Sequence, residues 1–147
     1  MNKPLILVVE DDTAVRNLIV TTLETHDYRF QAAPTGETAI MEAASHNPDV
    51  ILLDLGLPDM DGIDIIKKIR TWSKTPIIVI SARSEDTDKI EALDAGADDY
   101  LTKPSSVEEL LARLRVTFRR LNDSRYETGQ NSGCPDGALK YGYAGGW

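Results

Sequence analysis

Apolar and polar positions alternate along this chain in blocks, and each block has the period of one kind of element. Leu5-Ile6-Leu7-Val8-Val9 is a continuous run rich in branched residues, as in a strand buried on both faces. A helical stripe of Val15, Leu18, Ile19 and Leu23 follows, with Asp12 or Thr13 placed to cap its start. Tyr28–Ala33 reads as a second strand. Thr35-Gly36-Glu37 opens a helix bearing Ala39, Ile40, Ala43 and Ala44, which stops before Pro48. Val50–Leu53 is a third buried strand, and it ends at Asp54.

The second half repeats the alternation. A loop dense in turn residues, Gly56 to Gly62, leads to a helix marked by Ile63, Ile66 and Ile69. Pro76 opens a fourth strand, Ile77–Ile80, that ends at Ser81. A helix over about Glu85–Ala95 stops at Gly96, a natural C-cap. A short strand near Asp99–Leu101 precedes Thr102-Lys103-Pro104. The last stripe is Val107, Leu110, Leu111, Leu114, Phe118 and Leu121, with Ser106 and Glu109 at capping-box spacing. Five strand–helix repeats predict an α/β fold, a five-stranded parallel sheet with helices on both faces. The right-handed crossover rule favours the flavodoxin-like order 2-1-3-4-5. From Asn122 onward no period holds, so 122–147 reads as a flexible linker or tail after a domain over 1–121.

Composition narrows the function classes. The chain has 147 residues, 41% hydrophobic and 27% charged, enough for one buried core. No apolar run is long enough to span a bilayer, and the start lacks the features of a secretory signal. The lone Cys134 cannot form an internal disulfide, and these features together favour the cytoplasm. A net charge of −8 argues against a broad nucleic-acid-binding surface.

Candidate chemistry appears at the carboxyl ends of the strands, where open parallel sheets place their sites. The first strand delivers Glu10 and Asp11, the third Asp54, the fourth Ser81, and the loop after the fifth Lys103. Any one acid could simply end a strand or cap a helix. Gathered on one rim, three carboxylates repel one another unless a cation joins them, and hard oxygen donors suit Mg²⁺. A lysine there supplies a counter-charge and a phosphate contact, and a carboxylate can itself be a nucleophile for phosphoryl transfer.

The stretches ILVVEDD (6–12), DLGLPDMDG (54–62), VISAR (79–83) and ALDAGADDYLTKP (92–104) resemble the receiver domains of bacterial two-component response regulators. The resemblance covers roughly residues 4–121. The wording is most similar to the OmpR/PhoB subfamily, and within it to regulators of potassium-transport genes.

The resemblance implies that Asp54 accepts phosphate from a sensor histidine kinase. It implies Mg²⁺ bound by Glu10, Asp11, Asp54 and the Gly56 backbone carbonyl. Ser81 and Lys103 would contact the phosphoryl group, Tyr100 would move with Ser81 as a switch, and the Lys103–Pro104 peptide would be cis. Phosphorylation would favour a homodimer through the fourth helix, fifth strand and fifth helix, pairing Lys89 with Glu109, Asp99 with Arg113 and Asp94 with Arg115.

Such a protein is no enzyme in the usual sense. The resemblance implies a switch catalysing only its own phosphorylation and dephosphorylation; full-length relatives control transcription through a winged-helix DNA-binding domain, which is expected to be missing from this sequence. The alternative is a degenerate receiver acting only as an interaction module. Two positions depart from the family: Glu10, where many relatives carry Asp, and Ser105, where the subfamily usually has Phe.

Overall fold

The structure is a computed structural model describing residues 3–103 and 106–130, with side chains described as far as Leu121. The elements are β1 (Leu5–Val9), α1 (Thr13–Thr25), β2 (Arg29–Ala33), α2 (Gly36–His46), β3 (Val50–Leu53), α3 (Gly62–Arg70), β4 (Ile77–Ser81), α4 (Asp86–Ala95), β5 (Asp99–Thr102) and α5 (Val107–Gln130). The strands form one five-stranded parallel sheet in the order β2-β1-β3-β4-β5, the order expected from the sequence. The chain divides into two units, Met1–Val107 and Glu108–Trp147.

Within the first unit, alternation along each strand sorts the core into two layers. Leu7, Val9, Ile51, Leu53, Ile77 and Val79 join one buried cluster with Ala39 and Ala43 of α2, Ile66 and Ile69 of α3 and Ala92 of α4. The three helices lie side by side on that face, α2 against α3 and α3 against α4. The intervening strand residues, among them Ile6, Val8, Leu52 and Ile78, are equally buried on the opposite side. There α1 packs along β1 and β2. The central strands β1, β3 and β4 are therefore shielded on both faces, which is why they read as unbroken apolar runs.

Side chains set the helix starts. Asp12 Oδ1 accepts the Val15 N–H at 3.1 Å, Thr35 Oγ1 accepts the Thr38 N–H at 3.2 Å, and Asp61 Oδ1 accepts the Ile63 N–H at 2.9 Å. α4 ends at Gly96 with φ 126, a conformation that favours glycine.

Two helix readings need correction. Leu18 was expected in the buried stripe of α1, yet it is 57% exposed, and Thr22 is buried in its place beside Ile19 and Leu23. The swap is affordable because the Thr22 hydroxyl donates to the Leu18 carbonyl at 2.8 Å, so no polar group is orphaned. Helix also continues past Leu121 to Gln130, where irregular chain was expected. Backbone helix bonds are local and propagate without an apolar stripe. Within α5, Leu110, Leu111 and Leu114 are buried. The expectations for Pro104, Ser105, Cys134 and the rest of the tail lie outside the described residues.

Candidate functional site

Backbone bonds at the carboxyl rim of the sheet place the side chains before any ligand is considered. The Glu10 N–H donates to the Ala33 carbonyl at 3.1 Å and the Asp54 N–H to the Val9 carbonyl at 3.0 Å. The Lys103 N–H donates to the Ser81 carbonyl at 2.7 Å. Each of these bonds joins the end of one strand to the end of its neighbour. Glu10, Asp54, Ser81 and Lys103 are thus held level by the ladder itself.

The carboxylates converge as the sequence suggests. One oxygen from each of Glu10, Asp11 and Asp54 lies within 4.8 Å of the other two. Glu10 and Asp54 are buried, whereas Asp11 is exposed and leaves the cluster open on one side. Lys103 Nζ reaches Glu10 Oε1 at 2.8 Å and Asp54 Oδ2 at 3.7 Å. One ammonium against three carboxylates leaves negative charge uncompensated in a partly desolvated place. That donor set, all hard oxygens, fits a divalent cation such as Mg²⁺.

The ionisation of the pair follows from this crowding. Burial is the largest influence on the Glu10 carboxyl and pushes it above its ordinary range; the Asp54 charge adds to it, and the bond from Lys103 opposes it. Burial works against the Lys103 charge, but its bond to Glu10 and the charge of Asp54 outweigh it and hold the ammonium above its ordinary value. Lys103 is therefore a standing positive charge beside Asp54.

The remaining expected residues take these places. Gly56 is exposed in the loop after β3, and its N–H donates to Asp54 Oδ1 at 3.3 Å. Ser81 is buried, its Oγ accepts the Arg83 N–H at 3.1 Å, and its hydroxyl also bonds the Tyr100 side chain. Tyr100 is half-buried and donates to the Arg83 carbonyl at 2.7 Å, which ties β5 to the loop after β4. Burial is the main reason its phenol is held above the ordinary value.

The residues expected at a dimer face fall on three elements. Lys89 and Asp94 are on α4, Asp99 on β5, and Glu109, Arg113 and Arg115 on α5. Asp99, Glu109 and Arg113 already take part in interactions within the chain, so none of them waits unpaired for a second copy.

Three residues escaped the sequence reading. Arg16 donates from a guanidinium nitrogen to the Glu10 carbonyl at 2.9 Å. Asp59 accepts the Gly36 and Glu37 N–H groups at 2.8 and 3.0 Å, so the loop after β3 caps α2. Those two bonds hold the Asp59 carboxyl below its ordinary value. Arg70 donates to the carbonyls of Gly96, Ser73 and Thr75 and pairs with Asp98 at 2.9 Å. Asp59 lies within the stretch DLGLPDMDG that carries the family resemblance; the arginines carried no spacing signal.

With this geometry in view, the class of the protein is plain. A profile of the response regulator receiver domain matches residues 6–115, and the chain belongs to that family. It is 56% identical over 115 residues to the KDP operon transcriptional regulatory protein KdpE of Escherichia coli K12, a match covering 78% of this chain and 51% of that protein. It is 44% identical over 115 residues to the response regulator ArlR of Staphylococcus aureus Mu50, covering 78% and 52%. Both relatives are of the OmpR/PhoB type, as the motifs led one to expect. The chain spans about half the length of these curated relatives. Among solved structures, the receiver domain of the Francisella response regulator 1452 superposes with a TM-score of 0.77 at 37% identity, covering 81% of this chain and 99% of that one.

Proposed function

We propose that this chain is the phosphoryl-accepting switch of a two-component transcriptional regulator, with Asp54 as the acceptor. The observation that carries the reading is the buried Asp54 carboxylate sharing one rim with Glu10, Asp11 and the ammonium of Lys103. Glu10, Asp11, Asp54 and the Gly56 carbonyl would hold Mg²⁺, which when bound supplies charge neutralisation on the phosphoryl oxygens.

The residues divide the work in this proposal. An Asp54 oxygen attacks phosphorus while the phosphorus–nitrogen bond to a kinase histidine breaks, and the bonding pair returns to the departing imidazole. Lys103 holds a phosphoryl oxygen by charge, and the Ser81 hydroxyl turns from Tyr100 to donate to another. Tyr100 then reports the new position of Ser81 to α4 and β5. Occupation of Asp54 biases a pre-existing equilibrium towards a homodimer, with Lys89–Glu109, Asp99–Arg113 and Asp94–Arg115 pairs formed between copies. Asp99, Glu109 and Arg113 must then exchange partners they already have.

Residues 1–121 constitute the receiver in this reading, and 122–147 act as a linker. Turnover is confined to the chain's own phosphorylation and dephosphorylation, and its place is the cytoplasm. Among the described residues no helix is long and apolar enough to cross a membrane, which fits such a location.

The test is incubation with a small-molecule phosphodonor, with and without Mg²⁺, for the wild type and Asp54→Asn. Incorporation that needs Mg²⁺ and vanishes in Asp54→Asn is expected; incorporation undiminished by that substitution would sink the proposal.

A further inference from the structure

We propose that Arg16 is a positioning residue for the cation site, holding the Glu10–Asp11 segment in its ligating arrangement; this rests on the reading of the acid cluster as a Mg²⁺ site. The Glu10 carbonyl lies just beyond the end of β1, where the ladder no longer provides a donor. It accepts instead from the guanidinium of Arg16, one turn into α1, at 2.9 Å. The backbone N–H of Arg16 donates to the Asp12 carbonyl at 2.9 Å. One residue therefore fastens the short β1–α1 connection from both sides.

That connection needs an external fastening because of what it carries. Glu10 is fixed by burial, by Lys103 and by the Asp12 N–H at 3.2 Å to Oε2. Asp54 is fixed by burial, the Gly56 N–H and Lys103. Asp11 is exposed, and among the described residues no hydrogen bond or ion pair holds its carboxylate. Its placement depends on the backbone either side of it, and Arg16 fixes the Glu10 side. Among the described residues the Arg16 guanidinium makes no ion pair, so its recorded work is this carbonyl bond.

The sign of the effect separates positioning from plain electrostatics. Removing a positive charge beside an acidic cluster should, by Coulomb's law alone, make a cation bind more tightly. Removing a bond that orients a ligating segment should make it bind more weakly, by about 10-fold, since partners that orient metal ligands are worth that order of affinity.

The experiment is calorimetric titration of the full 147-residue chain with MgCl₂. It compares the wild type with Arg16→Met, which keeps length but no donor, and Arg16→Lys, which keeps the charge and a donating ammonium. The Mg²⁺ concentration for half-maximal phosphorylation by a small-molecule phosphodonor is a second readout. Arg16→Met is expected to weaken Mg²⁺ by about 10-fold in both, and Arg16→Lys to recover most of the loss. Should Arg16→Met not fold, Arg16→Gln, too short to reach the carbonyl, carries the same expectation. Affinity unchanged or tightened in Arg16→Met, or lost equally in Arg16→Lys, overturns the inference. A wild type that takes up no Mg²⁺ overturns the metal reading itself, and this inference with it.

Discussion

Replacing the acceptor by its neutral isostere, Asp54→Asn, should make the metal-free domain more stable. The substitution deletes two repulsions and one attraction. The carboxylate oxygens of Glu10 and Asp11 lie within 4.8 Å of that of Asp54, and Lys103 Nζ lies 3.7 Å away. At an effective dielectric of about 20, the repulsions are worth about 3.5 kcal/mol each and the attraction about 4.5, so their loss favours the folded state by about 2.5 kcal/mol. Exposure of Asp11 screens its share, which reduces the net gain to about 1 kcal/mol.

For a domain of this size that corresponds to a midpoint about 3–5 °C higher. The assay is thermal unfolding followed by circular dichroism, in chelator and again in millimolar Mg²⁺. In chelator Asp54→Asn should melt above the wild type. In Mg²⁺ the order should narrow or reverse, because binding to the native state stabilises the wild type by mass action. A variant that melts below the wild type in chelator would refute the reasoning, since the cluster would then not be repulsive.

Other perturbations have definite signs. Lys103→Met should destabilise the metal-free domain by about 1–3 kcal/mol, opposite to Asp54→Asn, because it leaves Glu10 and Asp54 without their counter-charge; urea unfolding at pH 7 measures it. A Cβ on Gly62 would sit 2.6 Å from Leu55 Cα, against backbone that cannot swing aside. Gly62→Ala should therefore cost about 1–3 kcal/mol by overpacking, and it should slow phosphodonor incorporation by displacing the residue next to Asp54. Asp59 is held below its ordinary value, so its contribution is present above the unfolded carboxylate value and lost as pH falls through the folded one. The stability gap between wild type and Asp59→Asn should be open at pH 7 and close in acid; a gap independent of pH would contradict this.

The sheet was legible because burial on both faces forces unbroken apolar strands, as Val50–Leu53 shows. The rim was legible because strand ends in a parallel sheet share one edge, which brings Glu10, Asp54, Ser81 and Lys103 together although up to 93 positions separate Lys103 from Glu10. What stayed hidden were side-chain bonds to distant backbone, such as Arg70 to the Gly96 carbonyl and Asp59 to the Gly36 N–H. Such bonds have no periodicity, since they depend on where loops finish after the sheet has assembled. Leu18 and Thr22 show a second limit: a helical stripe locates a face, but burial depth depends on what packs against it.

The most direct test of the acceptor assignment is chemical trapping. The chain is incubated with a small-molecule phosphodonor and Mg²⁺, reduced with borohydride, digested and mapped by mass spectrometry. Reduction converts an aspartyl phosphate into homoserine, so the modified position is read from the fragment masses. Homoserine is expected at position 54, dependent on both phosphodonor and Mg²⁺. Homoserine at Asp11 or another aspartate, with Asp54 intact, would contradict it.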